Sequence, residues 1–396
     1  MKADYDLAII GAGPGGSTLA ALMAKRNFRV AIIERDAYPK FKIGESLLPY
    51  SADVLRESGF FPKLDSGKYI RKYGAEFVDH REAEAVYFEF ADSLDRDHPY
   101  AFEVERRDFD SDLLQHAREA GVDVFQPEAV LEVFEESDPI RLRTPEREIS
   151  CRYLVDATGR GALLGNKLGI RDVNPDFNNV AVFSHFQGVQ RKAGKNAGDI
   201  TIGILPDHSW SWHIPFLNGH TSVGVVCNAR HYKEHETPQK YIEARLDCHP
   251  IFREMMREAE CLQAPGVAAN YSHSCQRFVG ARWMLIGDAA TFLDPIFSSG
   301  VHISLTSARL AAPALAAALE RNVNILDTPE GQLYEPELRK GIQRFRSLLN
   351  MFYTSEFVGQ MKKALQRENV RRSFTAAVGG DMWNEKNPLF QLGVLR

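Results

Sequence analysis

The sequence contains few cysteines and no long apolar segment. Its five cysteines show no CxxC spacing, which excludes a disulfide framework and favours buried thiols in a reducing, cytoplasmic compartment. No stretch of about 18 consecutive apolar residues is present, so the sequence predicts no membrane span. Asp4 and Asp6 precede the first apolar run, and this is unlike a signal peptide.

An excess of positive charge and clusters of metal-ligating residues are also lacking. The net charge of −5 gives no electrostatic basis for binding nucleic acid. His231 and His235 have HxxxH spacing, but they lie in a polar stretch between a strand and a helix. A solvated surface turn is therefore favoured there, and we predict no metal site. The sequence lacks GxSxG, which argues against a hydrolase with a nucleophile elbow.

The N-terminal segment carries the complete pattern of a dinucleotide-binding unit. A short apolar strand over 5–10 leads into GAGPGG, a helical pattern follows, and a second strand over 30–33 ends at Glu34. In such a unit Gly11 permits the tight turn, Gly13 lets the backbone approach a pyrophosphate, and Gly16 allows close helix–strand packing. The Glu34 carboxylate would accept hydrogen bonds from ribose hydroxyls. The alternative, an ordinary βα turn, leaves Glu34 unexplained.

Two other segments place small residues before a helix. In 283–305 (WMLIGDAATFLDPIFSSGVHISL), a strand and a loop lead to the small residues 298–300, which open an apolar-periodic helix. Backbone N–H groups and the positive end of the helix dipole at such a start attract an anionic or electron-rich group. Gly44 and Ser46 precede a second apolar helix. They either approach the ligand or form a helix start with Ser46 as its N-cap.

The order of these patterns predicts an α/β (α+β) fold with a discontinuous Rossmann-like domain. Four alternating segments between about 175 and 275 indicate an antiparallel sheet, and the chain after about 325 is mostly helical. We assign 1–80, 100–170 and 276–325 to the nucleotide-binding domain. The inserted β-rich substrate domain comprises 81–99 and 171–275, and 326–396 form the helical C-terminal region.

Several motifs together resemble a known family. The GxGxxG with Glu34, the R-x-x-F-D of 106–110, the DATG of 156–159 and the GD of 287–288 resemble the p-hydroxybenzoate hydroxylase-like FAD-dependent oxidoreductases. The WSWHIP of 210–215, the GESLLP of 44–49 and the DPIFSSG of 294–300 are similar to motifs of phenol- and pyrrole-type flavin-dependent halogenases. Phe297 stands where tryptophan halogenases carry a glutamate, so free tryptophan is a less suitable substrate.

The resemblance implies FAD as cofactor and a set of site residues. The residues implied for FAD are Gly11, Gly13, Gly16, Glu34, Arg35, Gly44, Ser46, Arg106, Asp288, Pro295 and Gly300. A halide would lie at Ser299 and Gly300. The barrier between flavin and substrate would be formed by Trp210, Trp212, Pro215 and Phe297. Lys72 matches the position of the family's catalytic lysine, and Lys42 is the fallback.

The implied activity is halogenation. Reduced FAD, O₂ and chloride or bromide would form hypohalous acid, which the lysine directs onto an electron-rich phenol- or pyrrole-like ring, free or bound to a carrier protein. Only one complete dinucleotide fingerprint is present, so either NAD(P)H binds transiently in a groove or the flavin arrives already reduced. The resemblance implies the second, with a separate NAD(P)H flavin reductase as partner. The alternative is a reductase of the geranylgeranyl type or an aromatic hydroxylase, both of the same fold and using NAD(P)H directly.

Overall fold

A computed structural model describes residues 2–37, 42–81, 85–173, 179–232, 237–269, 272–354 and 357–395. His235 of the HxxxH pattern lies outside these residues. The strands are β1 (Tyr5–Ile10), β2 (Val30–Ile33), β3 (Ile70–Lys72), β4 (Gly74–Asp79), β5 (Val86–Glu89), β6 (Ala101–Glu103), β7 (Asp123–Phe125), β8 (Glu132–Phe134), β9 (Ile140–Arg143), β10 (Glu148–Asp156), β11 (Arg171–Val173), β12 (Asn179–Gln187), β13 (Ile200–Ile204), β14 (Trp210–Pro215), β15 (Thr221–Asn228), β16 (Glu260–Cys261), β17 (Gly266–Ala269), β18 (His273–Cys275), β19 (Trp283–Leu285) and β20 (Thr291–Phe292).

The helices pack on the first sheet, on the second sheet and in the C-terminal region. They are α1 (Pro14–Ala24), α2 (Ser51–Ser58), α3 (Phe61–Leu64), α4 (Arg106–Glu119), α5 (Leu163–Lys167), α6 (Ala229–Tyr232), α7 (Pro238–Leu246), α8 (Pro250–Met256), α9 (Ser299–Arg321), α10 (Pro329–Phe352), α11 (Phe357–Ala364), α12 (Glu368–Val378) and α13 (Pro388–Gln391). Those on the second sheet are α6, α7 and α8. Within the described ranges, no helix is long and apolar enough to cross a membrane.

The first sheet has seven strands and the order β7-β2-β1-β10-β9-β8, with β19 also paired to β10. The pairs β7–β2, β2–β1, β1–β10 and β10–β19 are parallel. Their strands read as continuous apolar runs because helices cover them, as in β2, where all four residues are buried. Their carboxyl ends meet at one edge, where Gly11, Glu34, Ala157 and Gly287 follow the strands. The expected Rossmann-like arrangement is confirmed, since this edge is where such folds bind dinucleotides.

The second sheet has eight strands and the order β16-β12-β15-β14-β13-β4-β5, with β17 also paired to β12. It is antiparallel except for β13–β4, which is parallel. Residues 74–79 therefore pair within this sheet, although the sequence-based boundary placed 1–80 in the nucleotide-binding domain. Strand β4 pairs with β5, which is close by in the chain, and with β13, which is more than a hundred residues away and whose pairing no local pattern encodes. The other domain boundaries stay predictions.

One hydrophobic core joins both sheets and the C-terminal helices. Leu7 of β1, Phe77 of β4, Trp210 of β14, Leu315 of α9 and Met382 after α12 belong to the same buried cluster. The inserted sheet is thus packed directly on the nucleotide-binding layer. A large cavity lies where these two parts meet.

Candidate active site

A cavity of about 850 Å³ opens at the carboxyl edge of the first sheet and reaches the face of the second. Its wall includes most of the residues that the sequence implicates: Gly11, Gly13, Gly16, Glu34, Arg35, Gly44, Ser46, Arg106, Asp288, Pro295, Gly300, Trp210 and Trp212. Residues distant in sequence therefore meet in one space. Their individual roles in binding stay predictions.

The glycines of the β1–α1 turn form a cradle for a pyrophosphate. A Cβ at Gly11, where φ is +106°, would meet the Ala157 carbonyl oxygen at 2.4 Å, and one at Gly16 would meet the Gly11 oxygen at 2.1 Å. A Cβ at Gly13 would meet no atom within 4 Å, because this glycine borders the open cavity. The first turn of α1 thus presents its N–H groups and positive dipole end to the cavity. The donors fit the pyrophosphate of FAD.

Two charged residues shape the neighbouring wall. The Glu34 carboxylate accepts hydrogen bonds from the backbone N–H of Ala12 (2.8 Å) and of Asp36 (2.9 Å), which fixes its position at the end of β2. Each carboxylate oxygen has capacity for a further donor, as a ribose hydroxyl requires. The Arg106 guanidinium donates twice to Asp110, at 2.7 and 2.8 Å, so it is held in place before any ligand binds.

The 287–300 segment forms the third wall. Burial raises the pKa of Asp288 to about 6, against the opposing effect of the positive charges of Arg106, Arg160 and Lys42. Helix α9 begins at Ser299, and a Cβ at Gly300 would approach only the Asp288 carboxylate, at 3.9 Å. The Ser299 side chain is buried and does not line the cavity. A halide there would be held through backbone N–H groups.

The aromatic wall comes from β14. Trp210 and Trp212 lie 5.7 Å apart between ring centroids, and the Trp212 indole donates to Ser222 at 3.0 Å. Gly224 faces Trp212 across the β14–β15 pair, where a Cβ would stand 2.2 Å from the ring. The ring lies flat on the sheet for that reason.

Two residues expected at this barrier are not on the cavity wall. Phe297 packs against Phe77 and Phe352 at centroid distances of 6.2 and 5.8 Å, and Pro215 pairs with Thr221 at the end of β14. Neither borders the cavity. The side chain of Phe297 faces the core because its short 3-10 turn, Pro295–Phe297, is anchored by the Asp294 carboxylate. Any influence of Phe297 on substrate would pass through this packing.

Lys72 is fully buried directly behind the cavity wall. Its side chain is 1% exposed, and its Nζ donates to the Ser46 Oγ at 2.7 Å. The Ser46 hydroxyl donates to the Glu103 Oε1 at 3.2 Å, and Lys72 Nζ stands 3.9 Å from the same oxygen. Burial lowers the pKa of Lys72, whereas the carboxylates of Glu103 and Asp199 act to raise it. Burial also raises the pKa of Glu103, to about 8.

The alternative of Ser46 as a helix N-cap is wrong. Helix α2 begins at Ser51 with Tyr50 as its N-cap, and Ser46 instead forms an isolated β-bridge to Glu103. Lys42, the fallback lysine, stands 3.8 Å from Asp110 and is 36% exposed. It lies on the phosphate side of the cavity, so its surroundings differ from the closed environment of Lys72.

Sequence reasoning missed Glu103, Asp199 and the pairing of Glu45 with His185. His185 Nε2 lies 2.7 Å from Glu45 Oε1, and Glu45 borders the cavity. Glu45 lies inside the GESLLP motif, so the motif could have identified it as a site residue. Glu103 and Asp199 belong to no recognised motif, and only the pairing of distant strands brings them near Lys72. Within the described residues, no group of three or more His, Cys, Asp or Glu side chains is arranged to hold a metal ion.

The FAD binding domain family matches residues 4–334, and the chain belongs to this family. This agrees with the glycine cradle and the acidic ribose partner at Glu34. A similar curated protein, the 1H-pyrrole-2-carbonyl-(peptidyl-carrier protein) chlorinase of Pseudomonas fluorescens, is 32% identical over 97% of this chain and 90% of its own length. The corresponding brominase of Pseudoalteromonas luteoviolacea is 30% identical over 80% of this chain and 79% of its own.

Solved structures of flavin-dependent halogenases have the same fold as this chain. The flavin-dependent brominase Bmp2 superposes with a TM-score of 0.88 and 26% identity, covering 98% of both chains. The myxobacterial chondrochloren halogenase CndH superposes with a TM-score of 0.81 and 30% identity, covering 98% of this chain and 92% of its own. The chain is therefore an FAD-dependent enzyme of the flavin-dependent halogenase group. The resemblance drawn from the motifs is confirmed, and halogenation is favoured over the reductase or hydroxylase alternative.

Proposed function

We propose that this enzyme halogenates a pyrrole ring held on a carrier protein, with Lys72 as the catalytic residue. The proposed role of Lys72 rests on one observation: its amine is completely buried, and it donates a hydrogen bond to Ser46, which lines the cavity. Support for the substrate comes from the similar chlorinase and brominase, whose names specify a pyrrole-2-carbonyl carrier protein. A separate NAD(P)H flavin reductase, a halide ion and a cytoplasmic location complete the proposal.

Bound FAD, once reduced, would supply two of the four electrons that reduce O₂, and the halide would supply the other two as it is oxidised to hypohalous acid. The turn at Gly13, the Glu34 carboxylate and Arg106 would hold the dinucleotide. Backbone N–H groups at Ser299 and Gly300 would hold the halide at the positive end of α9. The two indole rings of Trp210 and Trp212 would separate the substrate from the cofactor.

Lys72 lies behind Ser46 of the cavity wall, so hypohalous acid would have to move past Ser46 to reach the amine, which would act on it by hydrogen bonding. An ammonium N–H directed at the oxygen polarises the oxygen–halogen bond, which makes the halogen more electrophilic toward the ring. The surrounding dry, apolar wall strengthens this hydrogen bond because little solvent competes for it. A fixed amine also places the oxidant beside one ring carbon, so that position on the ring is selected by geometry.

The test is a comparison of Lys72→Ala and Lys72→Arg with the unmodified enzyme. Each is supplied with FAD, a flavin reductase, NADH, O₂ and bromide, and offered pyrrole-2-carbonyl carrier protein or free pyrrole-2-carboxylate. We expect Lys72→Ala to bind FAD and oxidise reduced flavin normally, yet to lose halogenated product by about 100-fold or more in mass spectra. Normal halogenation by Lys72→Ala would refute the role of Lys72. Equal turnover of the free and carrier-bound pyrrole would refute the carrier requirement.

A further inference from the structure

Lys72, Ser46 and Glu103 share one face of a small three-stranded patch. In the β3–β6 pair, Ile70 is opposite Glu103 and Lys72 is opposite Ala101, so Lys72 and Glu103 project to the same side. Ser46 is bridged to Glu103 from the other edge of β6. The patch therefore aligns an amine, a hydroxyl and a carboxyl in one hydrogen-bonded row.

This row lies between two cavities. Ser46 lines the large cavity, whereas Glu103 borders a separate cavity of about 270 Å³, with its own side chain 0% exposed behind that cavity's wall. The outer cavity is bordered also by Lys68, Tyr69, Glu105, Asp108, Phe216, Leu217 and Asn218. Its neighbour Leu217 is 57% exposed, so this space communicates with the surface. The second carboxylate oxygen of Glu103 is buried and has no hydrogen-bond partner among the described residues.

We propose that Glu103 and Ser46 form a proton relay that carries protons from the outer cavity to Lys72. Glu103 is a positioning residue in this scheme, because it acts on the reaction only through Ser46 and Lys72. The proposal rests on the proposed role of Lys72 in halogenation. It adds a route by which a buried lysine, isolated from solvent, exchanges protons during repeated turnover.

The relay conserves protons and electrons over one turnover. Lys72 gives a proton to the oxygen of hypohalous acid as the oxygen–halogen bond breaks, the carbon–halogen bond forms, and water leaves. The ring then releases its own proton to water. The neutral Lys72 amine accepts a proton from Ser46, and Ser46 accepts one from protonated Glu103. A water molecule that moves in from the outer cavity to the unpartnered Glu103 oxygen then protonates this buried carboxylate again. No oxidant or reductant beyond hypohalous acid is needed.

The electrostatic surroundings suit a group that carries protons near neutral pH. Burial is the largest influence on Glu103 and raises its pKa, while Lys72 opposes that change and the carboxylates of Asp199 and Glu45 add to it. His185, hydrogen-bonded to Glu45, and the outer-cavity residues Lys68, Glu105 and Asp108 are the other titratable groups nearby. The Asp199 carboxylate already accepts from the N–H groups of Tyr73 and Gly74. Glu103 is therefore the carboxyl available to exchange a proton with Lys72.

Glu103→Gln tests the charge contribution of the relay. Burial lowers the pKa of Lys72, and the Glu103 carboxylate opposes that effect. Without the carboxylate, the pKa of Lys72 should therefore fall by about one unit or more. Nitrogen-15 NMR of labelled lysine, assigned with Lys72→Arg, measures this in the protein without substrate. The alkaline limb of the halogenation pH profile should move to lower pH by the same amount, which for one unit is about a fivefold loss at the original midpoint. Glu103→Asp, which keeps a carboxylate, should restore the Lys72 pKa in part.

Ser46→Ala tests the bridge without removing either charge. Turnover should fall about tenfold across the pH range. The pKa of Lys72 should remain higher in this variant than in Glu103→Gln. FAD affinity is measured separately. Glu89→Gln is the matched control, because Glu89 forms an exposed ion pair with Lys195 and should change nothing. An unchanged Lys72 pKa in Glu103→Gln, or unchanged turnover in Ser46→Ala, would overturn the relay. Full activity in Lys72→Ala would instead reject the proposed function itself.

Discussion

At the scale of single residues, three buried carboxyl groups have raised pKa values, and of these three Asp288 lines the large cavity. Burial raises the pKa of Glu103 to about 8 and those of Asp288 and Asp294 to about 6. A carboxyl whose pKa is raised on folding weakens the folded state once the pH exceeds that pKa. Strongly shifted pKa values are enriched at functional sites, so the stability cost of these three carboxyls agrees with the roles proposed for the site.

Asp288→Asn should separate stability from cofactor binding. Because the folded pKa is about 6 and the ordinary value is 3.8, the cost of ionising Asp288 is fully present above pH 6 and disappears as the pH falls toward 4. The side chain borders the open cavity, so we discount the gain to about 1 kcal/mol at pH 8. Urea unfolding without FAD should show this gain at pH 8 and a smaller one at pH 5, while FAD affinity falls.

The matched control for this variant is Asp207→Asn on the surface, 52% exposed. Its free energy of unfolding should change by less than about 0.5 kcal/mol at both pH values. A destabilised Asp288→Asn at pH 8, or a gain that grows toward pH 5, would contradict a raised pKa for Asp288 in the folded state.

At the scale of elements, one carboxylate joins three parts of the chain. Asp294 accepts hydrogen bonds from Asn179 at the start of β12 (3.0 Å), from the Tyr353 hydroxyl after α10 (3.1 Å) and from the Ile296 N–H (3.3 Å). Since Pro295 and Gly300 of the following loop line the cavity, this junction fixes the loop relative to both the second sheet and the C-terminal helices. The DPIFSSG motif therefore has a structural part as well as a ligand-facing part.

Asp294→Ala should loosen this junction. One buried and two partly buried donors lose their acceptor, so the free energy of unfolding should fall by about 2–3 kcal/mol in denaturant titrations. Tyr353→Phe, which removes a single hydrogen bond, should cost only about 1 kcal/mol. FAD affinity should weaken in Asp294→Ala and remain near normal in Tyr353→Phe. Equal destabilisation by both variants would show that the carboxylate does not unite these elements.

At the scale of the whole molecule, the C-terminal segment closes back on the long helices. The Trp383 ring lies over Gly341 of α10, where a Cβ would stand 2.1 Å from ring atoms, and its Nε1 donates to the Glu337 carbonyl at 2.8 Å. Arg344 donates to the Met382 carbonyl at 2.8 Å. The His302 ring on α9 is hydrogen-bonded to the Gly380 carbonyl at 2.9 Å. The segment thereby covers the helix that begins at the cavity.

Gly341→Val should displace this segment. The new side chain occupies the place of the Trp383 ring, so the free energy of unfolding should fall by about 2 kcal/mol or more. Limited proteolysis should then cut within 368–395 before other parts of the chain. In a double-mutant cycle, adding Trp383→Ala should cost less than it does alone, because the clash is already relieved. Additive costs would mean that the two positions do not pack together.

The sequence by itself determined the dinucleotide unit, the alternating strands of the second sheet and the family. Each of these depends on local chemistry: glycine tolerance in the β1–α1 turn, an acid at the end of β2, and period-two apolar patterns. The motif around Trp210 and Trp212 likewise sits within one strand. Such features can be recognised in the sequence because residues close together in the chain form them.

Only the tertiary structure decided which side chains surround Lys72. Residue 46, strand β6 and strand β3 are joined by register between segments distant in sequence, and register carries no local signature. The same long-range packing assigned β4 to the second sheet and faced Phe297 into the core. It also placed Glu103 beside Lys72, where burial of both groups changes their affinity for protons.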